Sequence, residues 1–593
     1  MPLWIRCSST GKFGKVELNR AGVEPRYFHP MQRLIECVPN ISEGRRPEVI
    51  NAVAAVVETV EGCRLLDVDP GKSTNRTVIT FVGPPETVGE AAFRLIKKAS
   101  ELIDMSKHSG EHPRMGATDV CPFVPVAGVT MADCIKVAHE VGERVGRELS
   151  IPGYFYESAA KRAERKNLAV CRKGQYEGLG KLSTDEGAPD FGPAEFNDAA
   201  RRTGATAVGA RDFLIAYNIN LNTTSSRRAN AIAFDIREAG RIKKRDGITG
   251  PAILDENGEP VRIPGTLKSV KGIGWYIEEY GIAQLSLNLT DINVTPVHVA
   301  FDEACNKAQV RGIRVTGSEL VGLLPLRVLL EAADHYLRKQ HRSLGISEAE
   351  KVKIAVKSLG LDDLAPFDPT KRVIEYIIAN LGNSPLINMT LTQFADTTAS
   401  EAPAPGGGSI SAYAGALGAA LATMVANLSA HKRGWDDRWE EFSVHAEQGL
   451  ALQNQLMVLV DADTQAFDAI MAAYGMPKGT DDQKATRHQA IQDATRNAID
   501  IPMQVAQIAY DGMALAAVMA SEGNPNSVTD AGVGGMCLRT AVLGAVLNAR
   551  INCGDLEDDT YVAEIQARCA ELVASAQEKE GDILATVDRV MAG

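Results

Sequence analysis

The stretch Leu381-Gly-Asn-Ser-Pro-Leu-Ile-Asn388 separates two parts of the sequence that have different patterns. Its glycine, its Asn-Ser pair and its proline are turn-forming residues, which favour a linker. Before it, short strand-like apolar runs alternate with stretches of helical periodicity. After it, strand patterns vanish and apolar residues recur at helical spacing as far as the end of the chain. The fold class is therefore predicted to change near residue 385.

The part that follows the linker is predicted to be an all-α bundle. Its helical stretches are Leu391–Thr398, Ile410–Ala430, Arg438–Met471, Asp481–Ala517, Ser527–Asn552 and Tyr561–Met591. Pro502 is expected to kink or split the helix that contains it, because proline lacks the backbone N–H that a helix interior uses. The small residues Ala414, Gly415, Gly418 and Ala419 permit close helix approach, and on that ground the bundle is predicted to pair with a second copy.

The part that precedes the linker is predicted to form two α/β sandwich subdomains with mixed sheets. Strands and helices alternate, but the strand patterns Arg64–Val68 and Thr77–Val82 follow one another without a helix between them. This order favours a mixed sheet over a purely parallel one. In the second subdomain, Val270–Tyr276 and Ile282–Leu289 are predicted to form a hairpin.

These patterns together predict a multidomain chain. The predicted divisions are residues 1–30 as a disordered extension or a misassigned start, 31–210 and 211–378 as the two α/β subdomains, 379–390 as the linker, and 391–593 as the helical domain. The segment 241–266, which is rich in Lys, Arg, Gly and Pro, is an insertion in the second subdomain with no assigned role.

The composition limits the class of protein. The 593 residues carry a net charge of −12, so the chain has no general basic footprint for nucleic acid. The 10 cysteines are scattered and form no CxxC pair, which argues against a disulfide framework or a structural zinc site and favours the cytoplasm. No run of about 18 apolar residues appears, so no membrane span is expected.

The loop Ser109-Gly-Glu-His-Pro-Arg-Met-Gly116 collects ionisable groups just before the strand pattern Val120–Val126. Loops held by strands often carry catalytic groups. An imidazole can both accept and donate a proton near neutral pH, so His112 is the leading candidate for a catalytic base. Arg114 could hold an anion with two hydrogen bonds. The alternative is that His112 is a polar loop residue with a backbone partner.

Polar residues also stand at the ends of two earlier strand patterns. Asn40 and Asp69 could converge on one rim and bind a substrate, but Asx residues at strand ends are more commonly turn caps. Arg76 is a candidate for docking a carboxylate. The segment Lys72–Arg76 lacks the spacing of a phosphate-binding P-loop and does not open a helix, so that motif is excluded.

In the helical part, Gly406, Gly407, Gly408 and Ser409 precede or open a helix. Exposed N–H groups at a helix N-terminus favour an anion or a carbonyl oxygen, although glycines also permit close packing. Farther on, Asp461 and Asp463 interrupt an apolar helix. At this spacing they point to different faces, so only one is expected to face the core, where burial would raise its pKa. The alternative is that both carboxylates are solvated.

From residue 31 onward the sequence resembles the formimidoyltransferase-cyclodeaminase family. The motifs that carry the resemblance are Glu36-Cys-Val-Pro-Asn40, Ser73-Thr-Asn-Arg-Thr77, Gly110-Glu-His-Pro-Arg-Met-Gly116, Ala188-Pro-Asp-Phe-Gly192, Ala404-Pro-Gly-Gly-Gly-Ser409 and Val460-Asp-Ala-Asp463. They occur in order through both fold classes.

The resemblance implies two reactions in histidine degradation. The first transfers a formimino group from N-formimino-L-glutamate to N5 of tetrahydrofolate, and the second cyclises the product to 5,10-methenyltetrahydrofolate with release of ammonia. It implies that His112 is the transferase base and Asp463 the cyclodeaminase acid/base. It also places folate contacts in the loop that contains Gly192, Pro193, Phe196 and Gly204.

The resemblance further implies a homo-oligomer, a ring of dimers, that uses polyglutamylated tetrahydrofolate as co-substrate. No metal, nucleic acid or membrane is implied. Two alternatives stay open: only the glutamate formimidoyltransferase is active while the helical domain serves folate binding or oligomerisation, or the chain is a folate-binding scaffold that has lost catalysis. His112 and Asp463 at their motif positions argue against a loss of either activity.

Overall fold

The computed structural model describes residues 33–72, 74–110, 113–247, 250–379 and 386–592. They form two compact units. The first unit holds the described residues up to 379 together with 423–448, and the second holds 386–422 and 449–592. The first unit contains both sheets and helices, and the second is helical. The predicted combination of α/β subdomains and a helical bundle is therefore confirmed.

The first subdomain is a mixed sheet that has helices on both faces. Its strands are β1 (Leu34–Cys37), β2 (Asn40–Ile41), β3 (Arg64–Gly71), β4 (Arg76–Gly83), β5 (Thr118–Ala127), β6 (Gly153–Glu157) and β7 (Thr206–Ala210). Its helices are α1 (Pro47–Ala54), α2 (Val88–Leu102), α3 (Met131–Leu149), α4 (Leu168–Cys171) and α5 (Asp198–Thr203). The strand order is β1-β4-β2-β5-β7-β6, and β3 pairs with β4. The pairings of β7 with β5 and β6 are parallel, whereas the others are antiparallel.

Helix α2 packs on this sheet because its apolar residues form one stripe. The buried residues of the stripe are Val88, Ala91, Ala92, Leu95, Ile96 and Ala99. They share a continuous core with Ile35, Ile79 and Phe123 of the sheet. Because successive residues of a strand point to opposite faces, the neighbours of these core residues lie on the face that α2 does not cover.

The second subdomain pairs an antiparallel sheet with helices. Its strands are β8 (Ile215–Leu221), β9 (Arg241–Ile242), β10 (Arg262–Ile263), β11 (Val270–Ile277), β12 (Ile282–Leu289) and β13 (Val315–Val321). Its helices are α6 (Ser226–Ile236), α7 (Val297–Gln309), α8 (Leu326–Lys339), α9 (Glu348–Leu359), α10 (Pro369–Arg372) and α11 (Ile374–Ala379). The main sheet has the order β11-β12-β8-β13, and β11 and β12 form the predicted hairpin.

The helical unit is built from long helices. Those after residue 386 are α12 (Leu391–Thr398), α13 (Gly407–Ala430), α14 (Trp439–Tyr474), α15 (Asp481–Glu522), α16 (Val528–Asn552) and α17 (Asp559–Ala592). Glycines bring α13 and α16 close together. A Cβ on Gly418 would lie 2.7 Å from the carbonyl oxygen of Gly534, and one on Gly415 would lie 3.1 Å from Ala541 Cβ. These glycines therefore serve packing within the chain, and the small-residue basis for predicting a second copy is wrong.

Pro502 does not split its helix, because α15 runs without interruption from Asp481 to Glu522. The missing N–H of a proline leaves the carbonyl four residues earlier without its helical donor. That carbonyl belongs to Ala498, and the side-chain Nδ2 of Asn552 donates to it at 2.8 Å. A neighbouring helix thus replaces the lost hydrogen bond.

Among the residues that the structure describes, two helices are long and apolar enough to cross a membrane by length and composition alone. They are Gly407–Ala430 and Pro525–Asp555, with mean hydropathies of 1.5 and 1.3. Within their apolar windows, 61% and 50% are buried inside the protein. Core helices of globular proteins show the same properties, so this is weak evidence for a membrane span.

Candidate active sites

The first candidate site lies where the start of α13 meets the middle of α14. Ser409, in the first turn of α13, directs its hydroxyl to Asp463 Oδ2 at 3.2 Å and to the carbonyl oxygen of Val460 at 2.8 Å. The backbone N–H of Ser409 also bonds to the Asp463 carboxylate. Thr464 Oγ1 lies 3.3 Å from Ser409 Oγ. Asp463 is therefore held at the positive end of a helix, where N–H groups favour a carboxylate.

Glycine is required at this helix start because side chains of two other helices approach it closely. A Cβ on Gly408 would collide with Asp463 Oδ1. A Cβ on Gly407 would lie 3.1 Å from Nδ2 of Asn548, which belongs to α16. The carbonyl of Gly406 accepts the first helical hydrogen bond, from Ile410. Asp463 and Asn548 thus lie close to successive residues of the first turn.

The environment of Asp463 suits proton transfer. Burial raises its pKa above the ordinary value of 3.8, although the hydrogen bonds from Ser409 act in the opposite direction. Desolvation disfavours the charged form of a carboxyl, so the protonated acid becomes available closer to neutral pH.

Asp461, two residues earlier, is the more buried acid and has a different role. Only 6% of its surface is exposed, and its carboxylate accepts the backbone N–H groups of Leu386 at 3.0 Å and Ile387 at 3.4 Å. The two aspartates therefore bind different partners and differ in burial, because Asp461 is buried whereas Asp463 is only partly buried. The expectation that only one of them faces the protein interior is confirmed, and that residue is Asp461. The raised pKa, however, belongs to Asp463.

The second candidate site lies on the face of the first sheet that α2 does not cover. Val78 of β4 lies opposite Asn40 of β2 on one side and opposite Asp69 of β3 on the other. Directly opposed residues in antiparallel strands point to the same face of the sheet. Arg76 lies two residues before Val78 and shares that face. Because Ile79 points into the core on the helix side, these polar side chains converge on the opposite face. Asp69 is inside β3 and is not a turn cap.

Glu111 and His112 lie outside the described residues, but hydrogen bonds hold the segments before and after them. On the earlier side, Asn75 Nδ2 donates to the carbonyl of Ser109 at 2.9 Å, and His108 Nε2 lies 3.0 Å from the carbonyl of Asn75. Asn75 adopts a left-handed backbone with φ of 48°. Burial lowers the pKa of His108, which favours its neutral form.

On the later side, the motif joins the end of the predicted folate loop. The N–H of Ala205 donates to the carbonyl of Met115 at 2.8 Å, and the N–H of Ala117 donates to that of Thr203 at 2.7 Å. Gly204 has a φ of 69°, and a Cβ there would collide with the carbonyl of Met115. Only glycine fits this close backbone approach.

The side chain of Arg114 is held by an acid of the chain itself. Its Nη1 and Nη2 atoms donate to the two carboxylate oxygens of Glu177 at 2.9 and 2.7 Å, and its Nε lies 3.4 Å from His108 Nδ1. Next to Glu177, the ring of Tyr176 packs edge-on against Phe196, with 5.9 Å between centroids. Phe196 is thereby brought close to the Arg114 region.

The start of the predicted folate loop is farther from this cluster. A Cβ on Gly192 would collide with the carbonyl of Ile151, and Gly146 of α3 approaches its backbone closely. Gly192 has a φ of 78°, so the turn itself requires glycine. Pro193 follows it and is half-buried. These two residues shape the loop entrance, whereas Phe196 and Gly204 reach the motif segment.

Family models match the chain in three consecutive regions. Residues 34–211 match the formiminotransferase domain, N-terminal subdomain, residues 216–379 match the formiminotransferase domain, and residues 390–571 match formiminotransferase-cyclodeaminase. A formimidoyltransferase-cyclodeaminase from Mus musculus is 42% identical over 560 residues, which cover 94% of this chain and 99% of the relative. The chain belongs to the formimidoyltransferase-cyclodeaminase family.

Shorter relatives of this family member match its two parts separately. A glutamate formimidoyltransferase from Streptococcus pyogenes serotype M1 is 41% identical over 309 residues, 52% of this chain and 94% of its own length. A methenyltetrahydrofolate cyclohydrolase from Methylorubrum extorquens is 36% identical over 200 residues, 34% of this chain and 96% of its own length.

Several residues beside the family motifs were missed by sequence reasoning. Asp119 is 1% exposed and accepts the N–H of Met115 at 2.9 Å, while Arg172 Nη2 donates to its other oxygen at 2.5 Å. Asp119 follows the motif directly and could have been noticed as an acid inside a strand. Asn548 and Arg172 gave no local signal. Among the residues that the structure describes, no group of three His, Cys, Asp or Glu side chains could hold a metal ion.

Proposed function

We propose that this chain is a bifunctional folate enzyme. It transfers the formimino group of N-formimino-L-glutamate to N5 of tetrahydrofolate, and it then cyclises 5-formiminotetrahydrofolate to 5,10-methenyltetrahydrofolate. The observation that carries this proposal is the similarity to bifunctional relatives along 94% of the chain, through both the α/β and the helical parts. The site around Asp463 supports the second reaction, and the polar face around Arg76 supports the first.

In the transferase reaction, we assign His112 as the base. N5 of the folate attacks the formimino carbon and loses its proton to the imidazole. The imidazolium then returns the proton to the glutamate nitrogen, the bond between that nitrogen and the formimino carbon breaks, and glutamate leaves. Asn40, Asp69 and Arg76 would face the substrate from the sheet.

In the cyclodeaminase reaction, N10 of the folate attacks the same carbon. Asp463 takes up the N10 proton and delivers it to the formimino nitrogen, which enters as the NH2 group of the protonated amidine, so that its bond to carbon breaks and ammonia leaves. A carboxyl with a raised pKa can act in both directions near neutral pH. Ser409 and the N–H groups at the start of α13 stabilise the carboxylate before the first transfer and after the second. Both reactions are proton-coupled additions and eliminations, and our proposal includes no metal.

The test is an absorbance assay for 5,10-methenyltetrahydrofolate with two variants of the full chain. H112A should lose turnover from N-formimino-L-glutamate but still cyclise supplied 5-formiminotetrahydrofolate. D463N should lose cyclisation by about 10²- to 10⁴-fold and still release glutamate. If D463N cyclised at the wild-type rate, the role of Asp463 would be wrong. If neither substrate were turned over by the wild type, the proposal would fail.

A second candidate reaction for the helical unit is hydrolysis of the methenyl product. The relative from Methylorubrum extorquens, which matches 34% of this chain, is named for that reaction. The same carboxyl could activate water for attack on the methenyl carbon. The two reactions are separated by supplying 5,10-methenyltetrahydrofolate and following its absorbance. Decay that depends on Asp463 favours hydrolysis, whereas a stable signal leaves cyclodeamination as the sole assignment.

We further propose that the helical units associate in pairs, as part of a ring of dimers. Apolar side chains are exposed to water along α13 and α16. They belong to Ile410, Leu417, Val533, Met536, Leu547 and Ile551. Exposed apolar rows of this kind mark protein interfaces. We also place the chain in the cytoplasm, in histidine degradation, with polyglutamylated folate as its co-substrate. The nine cysteines within the described residues are unpaired, which supports a reducing compartment.

A further inference from the structure

Two arginine–aspartate pairs, Arg165 with Asp190 and Arg172 with Asp119, hold the segment that follows β6. They differ in the part of the chain to which they connect it. Arg165 donates from Nη1 to Asp190 Oδ1 and from Nη2 to the carbonyl of Ala188, each at 2.6 Å. This pair fastens the segment to the loop before β7. Arg172 instead donates to Asp119, which lies on β5 directly after the family motif.

The pair of Arg172 and Asp119 leaves one donor unused. Both oxygens of Asp119 are occupied, one by Arg172 Nη2 and the other by the N–H of Met115. Arg172 Nε is buried, and no hydrogen-bond acceptor for it occurs in the described part of the chain. A buried donor on a charged group that stays unpaired is costly, so an unsatisfied one calls for an explanation.

A second guanidinium lies beside this pair. Burial lowers the pKa of Arg76, as does the positive charge of Arg172, while Asp119 and Asp69 raise it. Both arginines thus lie within electrostatic range of the Asp119 carboxylate. The side chain of Arg172 is 18% exposed, so a further anion that reaches it would relieve the repulsion between the two guanidinium groups.

We propose that Arg172, together with Arg76, binds a glutamyl carboxylate in the transferase reaction, and that Asp119 is the residue that positions Arg172. This inference rests on the proposed function and adds the residue that recognises the substrate class. A planar guanidinium matches a carboxylate through paired hydrogen bonds, which a lysine does not reproduce. The carboxylate belongs to N-formimino-L-glutamate or to the glutamyl tail of the folate, and the experiment separates these two sources.

The experiment compares R172Q with R165Q in the full chain. Both variants remove one arginine of a buried ion pair in the same segment, but Arg165 has no place in the site. The KM for N-formimino-L-glutamate and the KM for tetrahydrofolate are measured separately. Cyclisation of supplied 5-formiminotetrahydrofolate by the same preparation reports whether the chain is intact.

We expect R172Q to raise the KM for N-formimino-L-glutamate by about 10- to 100-fold, with cyclisation unchanged. R172K should recover part of this loss, and D119N should raise the same KM with little change in kcat. R165Q should lower Tm without changing either KM selectively. A rise in the KM for tetrahydrofolate alone would assign the carboxylate to the folate tail.

The inference is overturned if R172Q changes neither KM, or if it behaves like R165Q. Its failure can be told apart from failure of the proposed function by titration calorimetry with L-glutamate. If the wild type lacked transferase activity, the proposed function would fail. Weaker glutamate binding by R172Q than by the wild type would still support the carboxylate site, and equal binding would contradict its assignment to N-formimino-L-glutamate.

Discussion

Asp461 and Asp463 show how strongly the partner of a carboxyl decides its role. Both lie on α14, yet the buried Asp461 accepts two backbone N–H groups, and the partly buried Asp463 accepts a hydroxyl and an N–H at a helix start. Helical periodicity predicts that two such residues point in different directions. It cannot predict which backbone or helix end each one meets, because those neighbours are distant in sequence.

The raised pKa of Asp463 predicts a change in stability with pH. A carboxyl whose pKa is higher in the folded chain than its ordinary 3.8 destabilises the fold once pH rises above the folded value. The variant D463N removes that charge. We therefore expect D463N to unfold at a higher temperature than the wild type at pH 7.5, with the difference shrinking as pH falls towards 3.8.

Thermal unfolding of both proteins across this pH range measures the effect. D461N is the matched control, because its carboxylate serves backbone groups of the chain. It should lower the unfolding temperature at pH 7.5, since an amide accepts the two N–H groups less well than a carboxylate. A lower unfolding temperature for D463N as well would contradict the assignment of a desolvated Asp463.

At the scale of elements, the first turn of α13 packs closely against side chains of α14 and α16 at the candidate site. Its first two residues are glycines because Asp463 and Asn548 approach them from α14 and α16. The sequence predicted a glycine-rich helix start here and left packing and anion binding as alternatives. The structure shows that the glycines allow close packing, and that the packed group is itself a carboxylate.

This arrangement predicts an ordered effect of two alanine substitutions. G408A should displace Asp463, lower the unfolding free energy by about 1–3 kcal/mol and strongly reduce cyclisation. G407A should have a smaller effect on both, because its methyl group meets only the movable amide of Asn548 at 3.1 Å. Tm and the cyclisation rate of both variants provide the measurement. Equal damage, or more from G407A, would contradict this account.

The elements that the sequence failed to predict share a physical cause. Strand β7 consists of small residues, Thr206 to Ala210, and is buried throughout between two parallel neighbours. A strand that is buried on both faces lacks the polar alternation by which strands are recognised. The helix through Pro502 was predicted with a kink or a split, and it is not split because Asn552, from another helix, supplies a hydrogen bond to the carbonyl of Ala498. Both features depend on tertiary neighbours.

For the whole molecule, the change of fold class and the family motifs were readable because each extends over many residues. The helical spacing of apolar residues after residue 386, and the alternation of strand and helix patterns before it, are local properties. Because each pattern is repeated along many residues, the prediction does not depend on any single one. The grouping of Asn40, Asp69 and Arg76 on one sheet face was only one of two alternatives in the sequence. Strand register decides between them, and register is set by pairing across the sheet.

The proposed association of helical units makes a prediction at this scale. Leu547 and Ile551 are 66% and 76% exposed on α16. If a second helical unit covers them, glutamate side chains at these two positions should weaken the association, because their charges would be buried in the interface. The double substitution L547E and I551E is expected to reduce the mass of the particle measured by light scattering. The fold should be retained, because neither side chain contributes to the core.

Exposed apolar residues of the first unit provide a control for that experiment. V310E changes a residue that is 83% exposed at the end of α7, outside the rows on α13 and α16. It should leave the mass unchanged. If the double variant kept the wild-type mass, or if the wild type were a monomer, the proposed pairing through α13 and α16 would be wrong.

The two N–H groups held by Asp461 have a practical meaning for anyone who wishes to transplant the cyclising activity onto another enzyme. Leu386 and Ile387 precede the first helix of the bundle, yet they satisfy a carboxylate buried in its interior. A graft that began at Leu391 would lack these two N–H donors and would leave the buried carboxylate of Asp461 without them. Asp461 is two residues from Asp463, the proposed acid/base. The transplanted piece should therefore begin no later than Leu386.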